Sequence, residues 1–164
     1  MMKIIHTSDW HLGQNFFNYD RSDDHESMIR QLIDLVQTEE PDALVIAGDI
    51  FDVATPNTTV QKRFAESVVK IHDARPSMTI VCISGNHDSA SRHEIHQTPW
   101  EALNVQMIGK ANMTEMDENI ISISAKGWVV AIPYTNERRL NDEFYSRLEA
   151  AIKEKTAEEL PIVY

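Results

Sequence analysis

Three short stretches carry side chains able to hold metal ions: Asp9 with His11, Asp49, and Asn86 with His87 and Asp88. Each follows an apolar run. Ile4-Ile5-His6-Thr7-Ser8 leads into Asp9-Trp10-His11, Leu44-Val45-Ile46-Ala47 into Gly48-Asp49-Ile50-Phe51-Asp52, and Ile80-Val81-Cys82-Ile83-Ser84 into Gly85-Asn86-His87-Asp88. Taken singly, the first two are ordinary. A carboxylate and an imidazole two apart can point to one side just past a strand, yet a surface Asp beside a loop His is the commoner case. Gly-Asp is a common turn. Gly-Asn-His-Asp is more specific, because an asparagine that is not merely forming a turn offers its amide oxygen. All three in one chain, each after a buried-type strand, point to a metal site. Carboxylate, amide oxygen and imidazole are a mixed hard and borderline donor set, suited to Mn²⁺, Fe²⁺ or Zn²⁺ rather than to a thiolate-seeking ion.

Such a site needs elements that bring the three stretches together. Forty residues separate Asp9 from Asp49, and thirty-seven separate Asp49 from Asn86, each distance matching one strand-helix-strand step. Residues 3–8, 43–47 and 78–84 read as strands. Between them, Met28, Ile29, Leu32, Ile33, Leu35 and Val36 follow a 3.6-residue period after a capping-box pair, Asp23 and Glu26, and Pro41 closes that helix. A second helix opens at Pro56-Asn57-Thr58, shows Val60, Phe64, Val68 and Val69, and stops at Arg75-Pro76. The expected fold class is therefore α/β. It begins with a parallel β-α-β-α-β unit whose right-handed crossovers put the three ligand loops at one sheet edge.

Later strands complete a layered sheet sandwich: 105–108, then a hairpin of 120–124 and 128–132 split by Lys126-Gly127. Asn136 is expected to cap a last helix bearing Leu140, Phe144, Leu148 and Ile152. The final Pro161-Ile162-Val163-Tyr164 looks like the start of a buried strand, so residues 1–164 are expected to be the amino-terminal portion of one longer, truncated domain.

Composition limits the classes of function. The 164 residues include one cysteine, Cys82, which excludes an internal disulfide and reads as a small buried hydrophobe. No apolar run suits a signal peptide or a membrane span, so a soluble cytoplasmic protein is expected, with no membrane partner. Fifteen basic against twenty-six acidic residues give a formal charge of −11. That opposes simple electrostatic binding of nucleic acid and assigns any extended DNA surface to a partner or to further chain. No Gly-x-Gly-x-x-Gly follows the first strand, which disfavours a dinucleotide-binding domain.

Together, Asp9-x-His11, Gly48-Asp49 and Gly85-Asn86-His87-Asp88 resemble the motifs of the calcineurin-like metallophosphoesterase superfamily. Within it, His6-Thr7-Ser8-Asp9-Trp10-His11-Leu12-Gly13, Gly48-Asp49-Ile50-Phe51-Asp52 and Gly85-Asn86-His87-Asp88-Ser89-Ala90 look like the versions found in SbcD-type nuclease subunits. The resemblance covers the whole chain and corresponds to the first half of such a subunit. It implies a two-metal DNA exonuclease and hairpin-opening endonuclease of repair and recombination, using Mn²⁺, with Mg²⁺, Fe²⁺ or Zn²⁺ as alternatives. An SbcC-type coiled-coil ATPase would be its partner, and the nuclease subunit itself would be a homodimer. By the same resemblance Asp9 and His11 bind the first metal, Asp49 bridges both, and Asn86 binds the second, for in-line attack by water. His87 would stabilise transition-state charge or protonate the leaving oxygen, and Asp88 would orient His87.

The family completes its site with three later histidines, one after a strand and two in a Gly-His-x-His loop, which this chain does not contain. Weak metal binding by residues 1–164 is the expectation. His6, His25, His72, His93 and His96 sit outside such contexts and read as structural or solvent-facing. Trp10 either walls the site or packs beneath its loop. Phe16, Phe17 and Tyr19 with Arg21 read as a self-packed loop, with a DNA-facing or subunit-facing role as the alternative. Two other functions compete: a different phosphodiesterase or phosphomonoesterase on the same site, and a non-catalytic assembly module.

Overall fold

A computed structural model of the chain describes residues 1–95, 97–112, 114–135, 140–156 and 160–164. Strands β1 (Ile4–Thr7), β4 (Ala43–Ala47), β5 (Thr79–Ile83) and β6 (Val105–Ile108) form one parallel sheet in the order β1-β4-β5-β6. The first three lie within the ranges expected from sequence. Between β1 and β4 come a two-strand ribbon, β2 (Asn15–Phe16) with β3 (Tyr19–Asp20), and helix α1 (Ser22–Glu39). Helix α2 (Thr58–Ala74) links β4 to β5, and two short helices, α3 (Ala90–Glu94) and α4 (Gln97–Glu101), link β5 to β6.

Strand periodicity sorts the side chains between the two faces of this sheet. Leu44, Ile46, Ile80 and Cys82 pack on the α1 and α2 side, with Ile29, Leu32, Val36, Val60, Phe64 and Val68. Ala43, Val45 and Val81 point the other way, against Ile123, Val129 and Ala131 of a second sheet. That sheet contains β7 (Ile120–Ile123), antiparallel to β8 (Gly127–Val130), and β9 (Ile162–Val163), parallel to β8. Its outer face buries Ile120 and Val130 under Phe144, Leu148 and Ile152 of α5 (Asp142–Lys155). The result is a helix–sheet–sheet–helix stack. None of the described helices is long and apolar enough to cross a membrane.

Several local expectations are corrected. Helix α1 does not use an Asp23–Glu26 capping box: it starts at Ser22, and the Asp20 carboxylate accepts from the Ser22 amide at 2.9 Å. Leu35 and Val69 are exposed rather than on the core faces, because each lies one residue, about 100° of helix rotation, beyond the buried stripe that includes Val36 on α1 or Val68 on α2. Helix α5 is capped by Asn141, whose side chain accepts from the Phe144 amide; Leu140 precedes the helix, and Asn136 lies outside the described residues. The β7–β8 turn is made by Ser124 and Ala125, both at positive φ, not by Lys126-Gly127. Gly127 is a strand residue, and a Cβ there would lie 2.6 Å from the Pro161 carbonyl oxygen.

One ion pair ties the two sheets. Lys126 Nζ donates to Asp42 Oδ1 at 2.7 Å, and Asp42 Oδ2 accepts from the Lys3 amide at 2.9 Å. Lys126 foremost, aided by the Lys3 amide, holds the buried Asp42 carboxyl below the usual carboxylate range although burial acts the other way. A folded-state pKa below the unfolded one gives stability that is complete above the unfolded value. It is lost as pH falls through the folded one. Asp42→Asn is expected to cost about 1–2 kcal/mol at pH 7 and to flatten the acid limb of the melting-temperature profile below about pH 4. Thermal melts between neutral and acid pH read both effects.

Candidate metal centre

Each candidate ligand sits where a parallel strand ends and the backbone turns sharply. Asp9 and His11 follow β1 at φ 55° and 45°, and Asp49 follows β4 at φ 48°. Non-glycine residues in the left-handed region are uncommon and costly, and here three candidate ligands adopt it together. Neighbouring backbone holds them there. The Asp9 amide donates to the Gly48 carbonyl at 3.1 Å, His11 to Asp49 at 2.9 Å and Leu12 to Ile50 at 2.9 Å, while Asp52 returns a bond to Leu12 at 3.2 Å. The loops after β1 and β4 are thus zipped together beyond the sheet.

The third loop is locked to the second by close approach. Gly48, at φ 88°, passes Gly85 so tightly that a Cβ on Gly85 would lie 2.3 Å from the Asp49 nitrogen. Asp49 Oδ1 accepts the His87 amide at 2.9 Å. Donor atoms of Asp9, His11 and Asp49 consequently lie within 4.8 Å of one another, and so do those of His11, Asp52 and His87. Asp49 and Asn86 also line one cleft of about 250 Å³ with Gly48, Ser84 and Tyr134. Asp49 therefore borders both the Asp9–His11 cluster and the Asn86 side.

The donor set fits divalent cations. Asp9 and Asp49 bring two carboxylates together, and among the described residues no Lys or Arg is within ion-pair distance of either. His11 Nδ1 is buried without a hydrogen bond, although Asp52 Oδ1 lies 3.4 Å away. His11 thus turns Nε2 to Asp9, at 3.8 Å from Oδ1, and the unpartnered Nδ1 to Asp52; the paired carboxylates on the Nε2 side leave a gap in positive charge that a divalent cation would fill.

Geometry redistributes the roles expected of His87 and Asp88. Asp88 does not hydrogen-bond His87. Its carboxylate accepts three backbone amides, from Ile50 (3.2 Å), Phe51 (3.0 Å) and Gly85 (2.9 Å), and so staples the second loop to the third. His87 is oriented instead by Asp52, whose carbonyl oxygen lies 2.8 Å from Nδ1. A carbonyl only accepts, so Nδ1 carries a proton and Nε2 is the other functional nitrogen. The Asp52 carbonyl first, then the carboxylates of Asp49, Asp52 and Asp88, raise the His87 pKa above its ordinary value. His87 also packs edge-on to His11, with ring centroids 4.9 Å apart.

Sequence reasoning missed two residues here. Asp52 had a visible signal, a second carboxylate three positions after Asp49, but its contact with His11 depends on how the two loops zip together. Tyr134 had none: its amide donates to the Ser84 carbonyl at 3.0 Å, which brings an exposed ring to the cleft from 50 residues downstream in the chain. Trp10 is buried beneath its loop, with Nε1 donating to Thr7 Oγ1 at 3.0 Å, so it packs rather than walling the site. Phe16 and Phe17 pack edge-on within their loop, with ring centroids 4.8 Å apart, as the self-packed reading expects, although both and Tyr19 remain exposed at the β2–β3 ribbon. Cys82 is fully buried, and burial pushes its thiol pKa far up, as for an inert hydrophobe. His93 is buried with Nε2 3.2 Å from the Cys82 carbonyl oxygen, a structural role, and His96 lies outside the described residues.

Comparison with known proteins places these motifs in context. The calcineurin-like phosphoesterase family model matches residues 2–157. The chain is 30% identical over 148 residues to the D subunit of nuclease SbcCD from Rhodobacter capsulatus, covering 85% of this chain and 36% of that protein. It is 34% identical over 110 residues to the corresponding SbcCD nuclease protein of Escherichia coli K12, covering 67% and 27%. To that of Bacillus subtilis it is 32% identical over 141 residues, covering 86% and 36%. The chain thus spans about a third of the length of these curated relatives.

Proposed function

Because the chain belongs to the calcineurin-like phosphoesterase family, we propose that it carries the nuclease site of an SbcD-type subunit and hydrolyses DNA phosphodiester bonds with two divalent cations, Mn²⁺ first among them. The observation that carries this reading is the convergence of Asp9, His11 and Asp49, each held at positive φ, in one cluster beyond a parallel sheet. Asp9 and His11 would hold one cation, Asp49 would serve both, and the Asn86 amide oxygen would hold the second. Bound there, the cations supply Lewis-acid polarisation of the phosphoryl group and a nucleophile at neutral pH.

The chain's own residues position and protonate. Asp52 fixes the His87 ring through Nδ1, leaving Nε2 to donate to a phosphoryl or leaving oxygen. Asp88 keeps the Asn86-His87 turn and the Asp49 turn at fixed separation through three amides.

Exonuclease and hairpin-opening endonuclease action in repair and recombination, in the cytoplasm, completes the reading. So do a homodimer of this subunit and an SbcC-type coiled-coil ATPase. A formal charge of −11 on the chain supports assigning the longer DNA contacts to that partner.

The test is Mn²⁺-dependent degradation of end-labelled linear and hairpin duplex, with bis(p-nitrophenyl) phosphate and a cyclic nucleotide in parallel. Release of nucleotides from the duplex is expected when residues 1–164 are assayed within a subunit of the relatives' full length; for residues 1–164 alone, which hold part of the family's ligand set, weak metal binding and little cleavage are expected. Hydrolysis of the small esters with intact DNA would retain the family and overturn the nuclease assignment. His87→Ala is expected to keep Mn²⁺ affinity while hydrolysis falls about a hundredfold or more; lost affinity would make His87 a ligand.

A further inference from the structure

Away from the metal centre, a groove of about 400 Å³ runs between α1 and α2. Its wall includes His25, which is 3% exposed and whose two ring nitrogens are both buried with no hydrogen-bond partner among the described residues. Buried polar atoms are almost always satisfied, so an imidazole unpartnered at both nitrogens signals a missing neighbour. The groove's charge identifies what kind. Arg30, Lys62, Arg63 and Lys70 line it against two carboxylates, Glu26 and Glu66, and Glu66 is drawn to Lys62 at 3.7 Å. On a chain with a formal charge of −11 this is a local excess of cations.

We propose that the groove between α1 and α2 binds a phosphate group, with the Arg63 guanidinium and the His25 imidazole contacting its oxygens and Arg30, Lys62 and Lys70 surrounding it with positive charge. Arg63 is pre-positioned, since its Nη1 donates to Ser22 Oγ at 2.7 Å on the opposite helix. A guanidinium fork matches phosphate geometry. Basic groups approach from both helices, so the ligand must accept on more than one side, as a tetrahedral oxyanion does and a planar carboxylate does less well. Burial, then the charges of Arg21 and Arg63, keep His25 neutral, with Asp24 and Asp20 opposing them. A bound anion would relieve that cationic pressure and accept the ring N–H. Hydrogen bonds also run from this region toward the catalytic loops: Arg21 donates to Gln14 Oε1, and Gln14 Nε2 to Asp52 at 3.2 Å. The phosphate could be free in solution or part of a nucleic-acid backbone.

Both sources can be tested in EDTA, where the metal centre takes no part, so the result is independent of the nuclease reading. Histidine-¹⁵N-labelled chain is titrated with inorganic phosphate and, separately, with a short single-stranded oligonucleotide lacking terminal phosphates. The His25 signal is identified by its loss in His25→Gln. A saturable shift of the His25 ring nitrogens with phosphate is expected, with affinity reduced about tenfold in Arg63→Gln and less in Lys70→Gln, an exposed change that leaves the helix packing intact. A shift with the oligonucleotide that phosphate competes away identifies backbone phosphate as the source; a shift with phosphate alone identifies free phosphate. No saturable change at His25 with either ligand, at concentrations on the order of tens of millimolar, overturns the proposal. Unchanged affinity in both variants does the same.

Discussion

In a subunit of the relatives' full length, Asp49→Asn is expected to lose Mn²⁺-dependent hydrolysis by about a thousandfold or more while the protein still melts cooperatively near the wild-type temperature. The substitution keeps an oxygen that can accept the His87 amide, the bond that joins the third ligand loop to the second. It removes the charge. Asp49 borders both the Asp9–His11 cluster and the Asn86 cleft, so its loss weakens both proposed cation positions at once, whereas Asp9→Asn should weaken one. Electron paramagnetic resonance of free Mn²⁺, read beside the melting curve, separates lost affinity from lost fold. Wild-type Mn²⁺ affinity in Asp49→Asn would remove Asp49 from the ligand set.

Asp88→Ala is expected to destabilise the protein rather than only slow it. Its carboxylate receives amides from Ile50, Phe51 and Gly85, and removing it strands three N–H groups between tightly approaching loops. Bonds to a charged acceptor are the stronger kind. With water repairing part of the loss, about 3 kcal/mol is the expected cost, or about 6–12 °C in melting temperature for a chain of this size. Asp88→Asn recovers part of it, since an amide oxygen still accepts but its NH₂ faces other donors. A residue that acted only by orienting His87 would leave the melting temperature unchanged and alter turnover alone, so calorimetry distinguishes the two roles.

Much of this protein was legible because its signals are local. Strands β1, β4 and β5 announce themselves as apolar runs, and each ends at the residues that form the site. Covalent spacing alone makes Asp9, Asp49 and Asn86 fall one crossover apart, and right-handed crossovers then send all three loops to one edge. The start of α2 was likewise readable from Pro56-Asn57-Thr58, where the structure shows the Asn57 side chain accepting from the Val60 amide.

What tertiary structure decided depends on atoms distant in sequence. Asp88 staples loops 37 and 38 residues apart, whereas the motif resemblance implied a partner for His87. Asp52 reaches His11 and His87 only because backbone bonds zip the first two loops. Tyr134 reaches the cleft through its bond to Ser84, and His25 on α1 is buried among the apolar positions of that helix. Residue types and periodicity determine which elements form and which ligands they deliver, since those follow from the local backbone. Which carboxylate binds, which staples and which aims a neighbour is set by hydrogen bonds between loops, and these exist only once the sheet has brought the loops together.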